Sequence, residues 1–308
     1  MNDPRELTSL RNPHVKKWFS LGLKKYRDRN RLFLVEGARF VAEALLTHQP
    51  VEAIIYCESL LRTERARHII QIAPSDILWR ISEHIARRLS KRDKPGEVFC
   101  VCNYIDVPLD ALALNNTPLV VVLDEPRGPG NLGTTLRTAE GAGADALIII
   151  EPAVDLYHRV VVQATVGSLF GIPIARASNR QAFLDWYDQT WGAKIETRSI
   201  AAIPEAEQDY STIEDLNRPV FVFFGNEERG LASELRKRAH VEICIKMLGR
   251  ADSLNTASAA AVIICDIVRK RGYGRFTSPQ HLRVKEGFKQ PRKNREKEEN
   301  HQIDDDLG

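Results

Sequence analysis

Residues 119–143, LVVVLDEPRGPGNLGTTLRTAEGAG, constrain this chain more than any other stretch: an apolar run ends in a Gly/Pro-rich loop that opens into a helix. Leu119 to Leu123 is β-branched and lacks polar alternation, the pattern of a parallel strand buried on both faces. Leu132 to Glu140 follow helical spacing, with Leu132, Leu136 and Ala139 on one face and Arg137 projecting near the first turns. In open α/β sheets ligands sit beyond the carboxyl ends of the strands, so Asn131 and Arg137 stand at the usual place for chemistry.

Within that loop, Gly128, Gly130 and Gly133 fit G-x-G-x-x-G and raise a dinucleotide-binding alternative, in which Glu151, after the next strand, would be the ribose acid. Two features weigh against it. Asp124, Glu125, Pro126 and Arg127 separate the strand from the first glycine, and two carboxylates would face a pyrophosphate. A plain turn before a core helix explains the glycines but not a long cation beside an apolar stripe.

At 308 residues and 43% hydrophobic content the chain is long enough for two domains, each with its own core. A net charge of +3 is only mildly basic, so any nucleic-acid reading must rest on where Lys and Arg cluster. Cys57, Cys100, Cys102, Cys244 and Cys265 are odd in number, lie mostly in apolar runs and include no C-x-x-C pair, which points to buried reduced thiols and no metal site. The start, MNDPRELTSL, has no basic-then-apolar signal, and no apolar run approaches the roughly 20 residues of a membrane span. A cytoplasmic protein is expected.

From Arg11 to Arg31 eight cations interleave with Trp18, Phe19 and Tyr26. Val15, Trp18, Phe19 and Leu23 fall on one helical face with the cations over the rest, as in a solvated amphipathic helix or a phosphate-contacting surface. Strands are expected at Leu32 to Val35, Val51 to Cys57, Ile77 to Arg80 and Val98 to Tyr104, with helices at Gly37 to Leu46 and Arg62 to Ile72 and a third, N-capped by Ser82, through Leu89. Residues 1–107 thus form a small α/β domain and 108–118 a linker. Residues 119–275 form a second domain with further strands at Ala146 to Ile150, Ile172 to Ile174, Ala193 to Ile203, Pro219 to Phe224 and Val241 to Ile245. Its helices are expected at Asp155 to Phe170, Asn179 to Gln189 and Thr256 to Lys270. This alternation predicts a mostly parallel sheet with helices on both faces. The last helix is apolar nearly all round and must be covered by the sheet or by another subunit. Residues 276–308 read as a charged, disordered tail, solvated or touching RNA through its basic half.

Three loops stand at carboxyl ends of predicted strands: Asn131 to Arg137, Gly225 to Gly230 and Leu248 to Asn255. Read as Asn131-Leu-Gly-Thr-Thr-Leu-Arg137, Gly225-Asn-Glu-Glu-Arg-Gly230-Leu, and Ile245-Lys-Met-Leu-Gly249 running into Ser253-Leu-Asn255, they resemble the three motifs of the SpoU (TrmH) class of SPOUT RNA 2′-O-ribose methyltransferases. The segment Asp155 to Pro173 is similar to the family's following helix and strand, and residues 5–105 to its ribosomal-protein-like substrate-binding domain. Lys246, Gln163 and Ala257 depart from residues usual in the family, proline, arginine and serine respectively.

The resemblance implies a deep trefoil knot in the carboxyl-terminal domain, S-adenosylmethionine held around Gly225, Ile245, Met247 and Leu254, an RNA substrate of ribosomal or transfer type, and a homodimer through the knotted domain's helices. It also implies that Arg137 activates a ribose 2′-hydroxyl, with Asn131 and Ser253 orienting it or the ribose and Glu227 and Asn255 holding the loops. A guanidinium stays protonated in water. Arg137 therefore fits a cation that stabilises the forming alkoxide, or a proton acceptor aided by a neighbouring phosphate. A protein with this fold that binds RNA without turnover is the alternative, against which Asn131, Arg137, Glu227 and Asn255, all intact, argue.

Overall fold

Side chains, not total charge, decide how the chain divides into layers. The computed structural model describes residues 5–90, 92–192 and 196–272, and the expected tail at 276–308 lies outside them. Two sheets belong to one compact unit. The first has β1 (Arg5–Leu7), β2 (Leu32–Glu36), β3 (Val51–Tyr56), β4 (Leu78–Ile81) and β5 (Val98–Asn103) in the order β1-β4-β3-β5-β2. Around it lie α1 (Pro13–Ser20), α2 (Lys24–Asn30), α3 (Ala38–Leu46), α4 (Glu64–Ile72) and α5 (Glu83–Ser90). Val15, Trp18, Trp79, Ile85 and Phe99 share one core on this sheet.

The stretch from Arg11 to Arg31 is two helices rather than one, because α1 stops at Ser20 and Leu21-Gly22-Leu23 turn the chain. Val15 and Trp18 are buried as expected, but Leu23 is 62% exposed. Arg27, one of the eight cations expected on a solvated or phosphate-contacting surface, is buried. At Ser82 the carbonyl accepts the first bond of α5 while the buried hydroxyl has no partner, so the expected side-chain cap does not form.

The second sheet is parallel throughout, with β6 (Val107–Pro108), β7 (Leu119–Asp124), β8 (Ala146–Ile150), β9 (Ile174–Ala177), β10 (Arg198–Ala202), β11 (Gln208–Asp209), β12 (Val220–Phe224) and β13 (Val241–Cys244). Their order is β11-β13-β10-β12-β7-β8-β9-β6, so β12 enters between β7 and the earlier β10. Every residue of β7, β8 and β12 is buried, which is why these runs show no alternation. Val120, Val122, Phe221 and Phe223 face α8 (Arg180–Tyr187), where Phe183, Trp186 and Tyr187 share their core, and α9 (Ser233–Arg236) adds Leu235. By alternation Val121 and Leu123 face the side of α6 (Pro129–Gly141), α7 (Arg159–Thr165) and α10 (Thr256–Lys270).

Two expectations change here. Pro108 begins no free linker, because β6 pairs with β9 and Leu109 is buried. The helix expected at Asp155 to Phe170 is shortened to α7, followed by a single 3-10 turn (Ser168–Phe170), since Val166 and Gly167 take positive φ of 52° and 100°. Gly133 makes the α6–α7 contact possible: a Cβ there would lie 2.6 Å from Val161 O and 2.6 Å from the Ala164 methyl. Gly133→Ala is expected to cost about 1–3 kcal/mol by overpacking, measurable by denaturant unfolding.

Candidate active site

Parallel strands deliver their carboxyl ends to one edge, and β7, β12 and β13 bring the three motif loops there. Pro129 opens α6, where a missing N–H is harmless, and places Asn131 in its first turn. Asn131 Nδ2 donates to Glu227 Oε1 at 2.8 Å, and its Oδ1 accepts from Asn255 Nδ2 at 2.8 Å. One amide thus ties the three loops together. Asn255 also caps α10, its Oδ1 accepting from Ala257 N at 2.9 Å.

Burial opposes ionisation of Glu227, yet hydrogen bonds from the Asn131 amide and from the backbone N–H groups of Glu227, Arg127 and Gly128 prevail and hold its carboxyl below the ordinary 4.5. A depressed carboxyl stabilises the fold above the unfolded value, and that contribution is lost as pH falls through the folded one. Thermal unfolding followed from pH 6 downward should therefore show an acid-side loss below about pH 4.5, in part absent from Glu227→Gln.

The Gly225–Gly230 loop is shaped by Asn226, which is buried. Its Nδ2 donates to Glu125 O at 2.7 Å, and its Oδ1 accepts from Glu228 N at 2.8 Å. Asp124 Oδ2 accepts from Ala232 N at 3.1 Å just past the loop, and its other oxygen accepts from Arg180 Nε at 2.7 Å. Desolvation still raises the Asp124 carboxyl above its ordinary range despite that arginine. Arg180 also pairs with Glu125 at 2.8 Å, and Glu151 pairs with Arg176. The carboxylates weighed for a dinucleotide are thus committed to arginines inside the fold.

Beside this knot of hydrogen bonds lies a cavity of about 590 Å³, within the range of small-molecule sites. Gly225, Glu227, Ile245, Ser253, Leu254 and Asn255 stand in its wall, and Asn131 bridges two of them. Met247, expected to hold a cofactor, does not line it: the chain leaves the wall after Ile245 and rejoins at Asp252. Arg137 is outside the wall too, exposed on α6, its guanidinium in no hydrogen bond or ion pair among the described residues. Ile203, Pro204 and Glu205, after β10, complete the wall. Sequence reading missed them because Ala-Ile-Pro-Glu matches no motif; the one signal was another strand ending on the same edge. Apolar Ile203, Leu254 and Ile263 line the cavity together with Glu205, Glu227, Glu228 and Asp252, which outnumber Arg229 and Arg236 in the same wall, so the lining suits a nucleoside that carries positive charge.

Among the described residues no group of three or more His, Cys, Asp and Glu could hold a metal, and no helix is long and apolar enough to cross a membrane. Cys57, Cys100, Cys102 and Cys244 are buried as expected, whereas Cys265 is exposed on α10.

Residues 118–265 match the family model described as SpoU rRNA Methylase, and residues 12–100 match the MRM3-like substrate binding domain. Over 281 residues the chain is 32% identical to a 23S rRNA (uridine(2479)-2′-O)-methyltransferase of Streptomyces viridochromogenes, covering 88% of this chain and 94% of that protein. It is 27% identical to the Bacillus subtilis 23S rRNA (guanosine(2553)-2′-O)-methyltransferase RlmP, over 84% of this chain and 98% of the relative. Among solved structures, the AdoMet-bound rRNA methyltransferase of Sinorhizobium meliloti superposes with a TM-score of 0.76 at 33% identity, covering 86% of this chain and 97% of that one. The Streptomyces viridochromogenes SpoU methyltransferase AviRb with AdoMet does so at 0.76 and 29%, covering 85% and 98%.

Proposed function

The chain belongs to the SpoU rRNA methylase family, and from that premise we propose that it is an S-adenosylmethionine-dependent methyltransferase that modifies a ribose 2′-hydroxyl of 23S rRNA. One observation carries the assignment of the site: a single amide, Asn131, joins Glu227 and Asn255, two residues of the cavity wall, so that three separate loops form one edge. The cavity fits the cofactor in size and in the acidic balance of its wall, where Glu205, Glu227, Glu228 and Asp252 outnumber Arg229 and Arg236. Gly225, Ile245 and Leu254 would hold it, and when bound it supplies a methyl group already activated on a sulfonium.

The remaining work belongs to the protein. Arg137 is exposed and has no ion pair among the described residues, so its charge is available to RNA. There it stabilises negative charge building on the 2′-oxygen, while a neighbouring phosphate takes the proton that a guanidinium cannot readily accept. Asn131 has both ends of its amide engaged and acts by holding the loops. Ser253, exposed in the wall, is the group left to orient the ribose. Holding nucleophile and methyl donor in line is worth several kcal/mol, on the order of the 7–11 kcal/mol of effective-molarity gains.

Two further points extend this reading. Ala261, Val262 and Val268 form a half-buried stripe on α10 beside the exposed Cys265, a surface that supports a homodimer through this domain. Sedimentation would read the expected mass. Insertion of β12 between β7 and β10 supports the trefoil knot implied by the family resemblance.

The test is transfer of labelled methyl from S-adenosylmethionine to an unmodified 23S rRNA transcript, followed by digestion to nucleosides. Labelled 2′-O-methyl nucleoside is the expected product. Cofactor and RNA binding without label in any nucleoside would instead support the RNA-binding protein without turnover.

A further inference from the structure

A short segment before and within α7 holds the two sheets together, and each of its contacts is made by a different kind of side chain. Asp155 forms an ion pair with Arg27 of α2, their side chains only 11% and 5% exposed. Tyr157 stacks on Tyr104 at 3.8 Å between centroids, and its hydroxyl accepts from Ile105 N at 2.7 Å and Asp106 N at 2.9 Å. Arg159 Nη2 donates to Glu36 of β2 at 3.0 Å. Glu36 is itself buried and also accepts from Ser90 and from Gly96 N. On its other side α7 meets α6 through the close approach at Gly133, and α6 carries both Asn131 and Arg137.

We propose that Asp155 to Arg159, with α7, is a strut that sets the register between the amino-terminal domain and Arg137, and that Arg27, Glu36, Asp155 and Arg159 are positioning residues for methyl transfer. This inference rests on the proposed function, in which the amino-terminal domain grips RNA. Buried ion pairs add little net stability but do fix one arrangement among several. A ribose gripped by one domain reaches a cation on the other only if the distance between them is set, and misplacement by about 1 Å can cost about 100-fold. The contacts run without interruption from β2 and α2 through α7 to α6.

Glu36→Gln and Arg159→Gln are the variants of choice, because Arg159 is 35% exposed at its side chain and Glu36, when Arg159 is replaced, keeps Ser90, Gly96 N and Arg92 at 3.6 Å. In the full chain, with an unmodified 23S rRNA transcript as probe, each should lower kcat at least tenfold and leave KM for RNA within about twofold, since the grip on RNA is kept and only the placing of the ribose against Arg137 is lost. Cofactor Kd should not move. The double variant should be no worse than the poorer single one, since both remove the same contact. Electron–electron resonance between labels on α4 and α8, in a Cys265→Ser background, should show a broader distance distribution than the parent. An unchanged distribution, an unchanged kcat, or a loss of cofactor binding would each overturn the proposal. Should the parent protein transfer no methyl group, the proposed function fails, and the distance distributions by themselves decide whether the strut holds the register.

Discussion

Arg137→Ala should lower kcat for methyl transfer on the order of 1,000-fold, the loss typical of removing a group that stabilises transition-state charge or assists proton transfer. The side chain lies outside the cavity wall, so cofactor affinity should stay within a few fold. Stability should barely change either: the residue is exposed in the interior of α6, where alanine is an equally good helix former, and such replacements fall within about 0.5 kcal/mol. A loss of transfer therefore cannot be blamed on unfolding. Arg137→Lys separates charge from geometry, since lysine keeps the cation but not the planar fork that can contact a phosphate and a hydroxyl together. An intermediate rate is expected for it. Single-turnover transfer to the rRNA transcript, with calorimetry of cofactor binding alongside, measures both quantities. Transfer by Arg137→Ala at the parent rate would remove this residue from the reaction.

Which of these features could be read from the sequence follows from the range of the interactions that create them. β7, β8 and β12 were legible because full burial leaves uninterrupted apolar runs, Asn131 and Glu227 because each follows such a run, and Asn255 because it stands directly before the apolar helix α10. That a single amide connects them was not legible, since the partners of Asn131 are 96 and 124 residues away. Arg27 escaped for the same reason: helical periodicity places it among cations that are solvated or contact phosphate, and the ion pair that goes with its burial is with Asp155, 128 residues on. Glu205 went unnoticed because a pocket wall can be built from whatever residues follow a strand, with no spacing to mark them. The break of the Asp155 to Phe170 helix was written locally in Gly167, yet the apolar periodicity running through it gave the stronger signal.

Gly225→Ala should weaken cofactor binding by about 10- to 100-fold, corresponding to about 1–3 kcal/mol of overpacking at 1.4 kcal/mol per factor of ten. An added Cβ would lie 2.2 Å from Leu231 N and 2.3 Å from Gly230 C, both backbone atoms that no side-chain rotation can move aside. Nor is the returning strand of the loop free to yield. Asn226 and Gly230 exchange backbone hydrogen bonds at 3.0 and 2.9 Å, and Ala232 N is held by the buried Asp124. Relief must come from shifting the loop as a whole, and the loop carries Glu227, whose bond to Asn131 then lengthens and frees Asn255 in turn. Damage at one glycine should thus reach the Arg137 side of the site, lowering kcat as well as affinity. Gly249→Ala is the control: it sits in the third motif loop, where an added Cβ meets no atom within 4 Å, so binding should match the parent. Isothermal titration with S-adenosylmethionine compares the two variants directly. Equal affinity in both would show that the close approach at Gly225 is not what shapes the cavity.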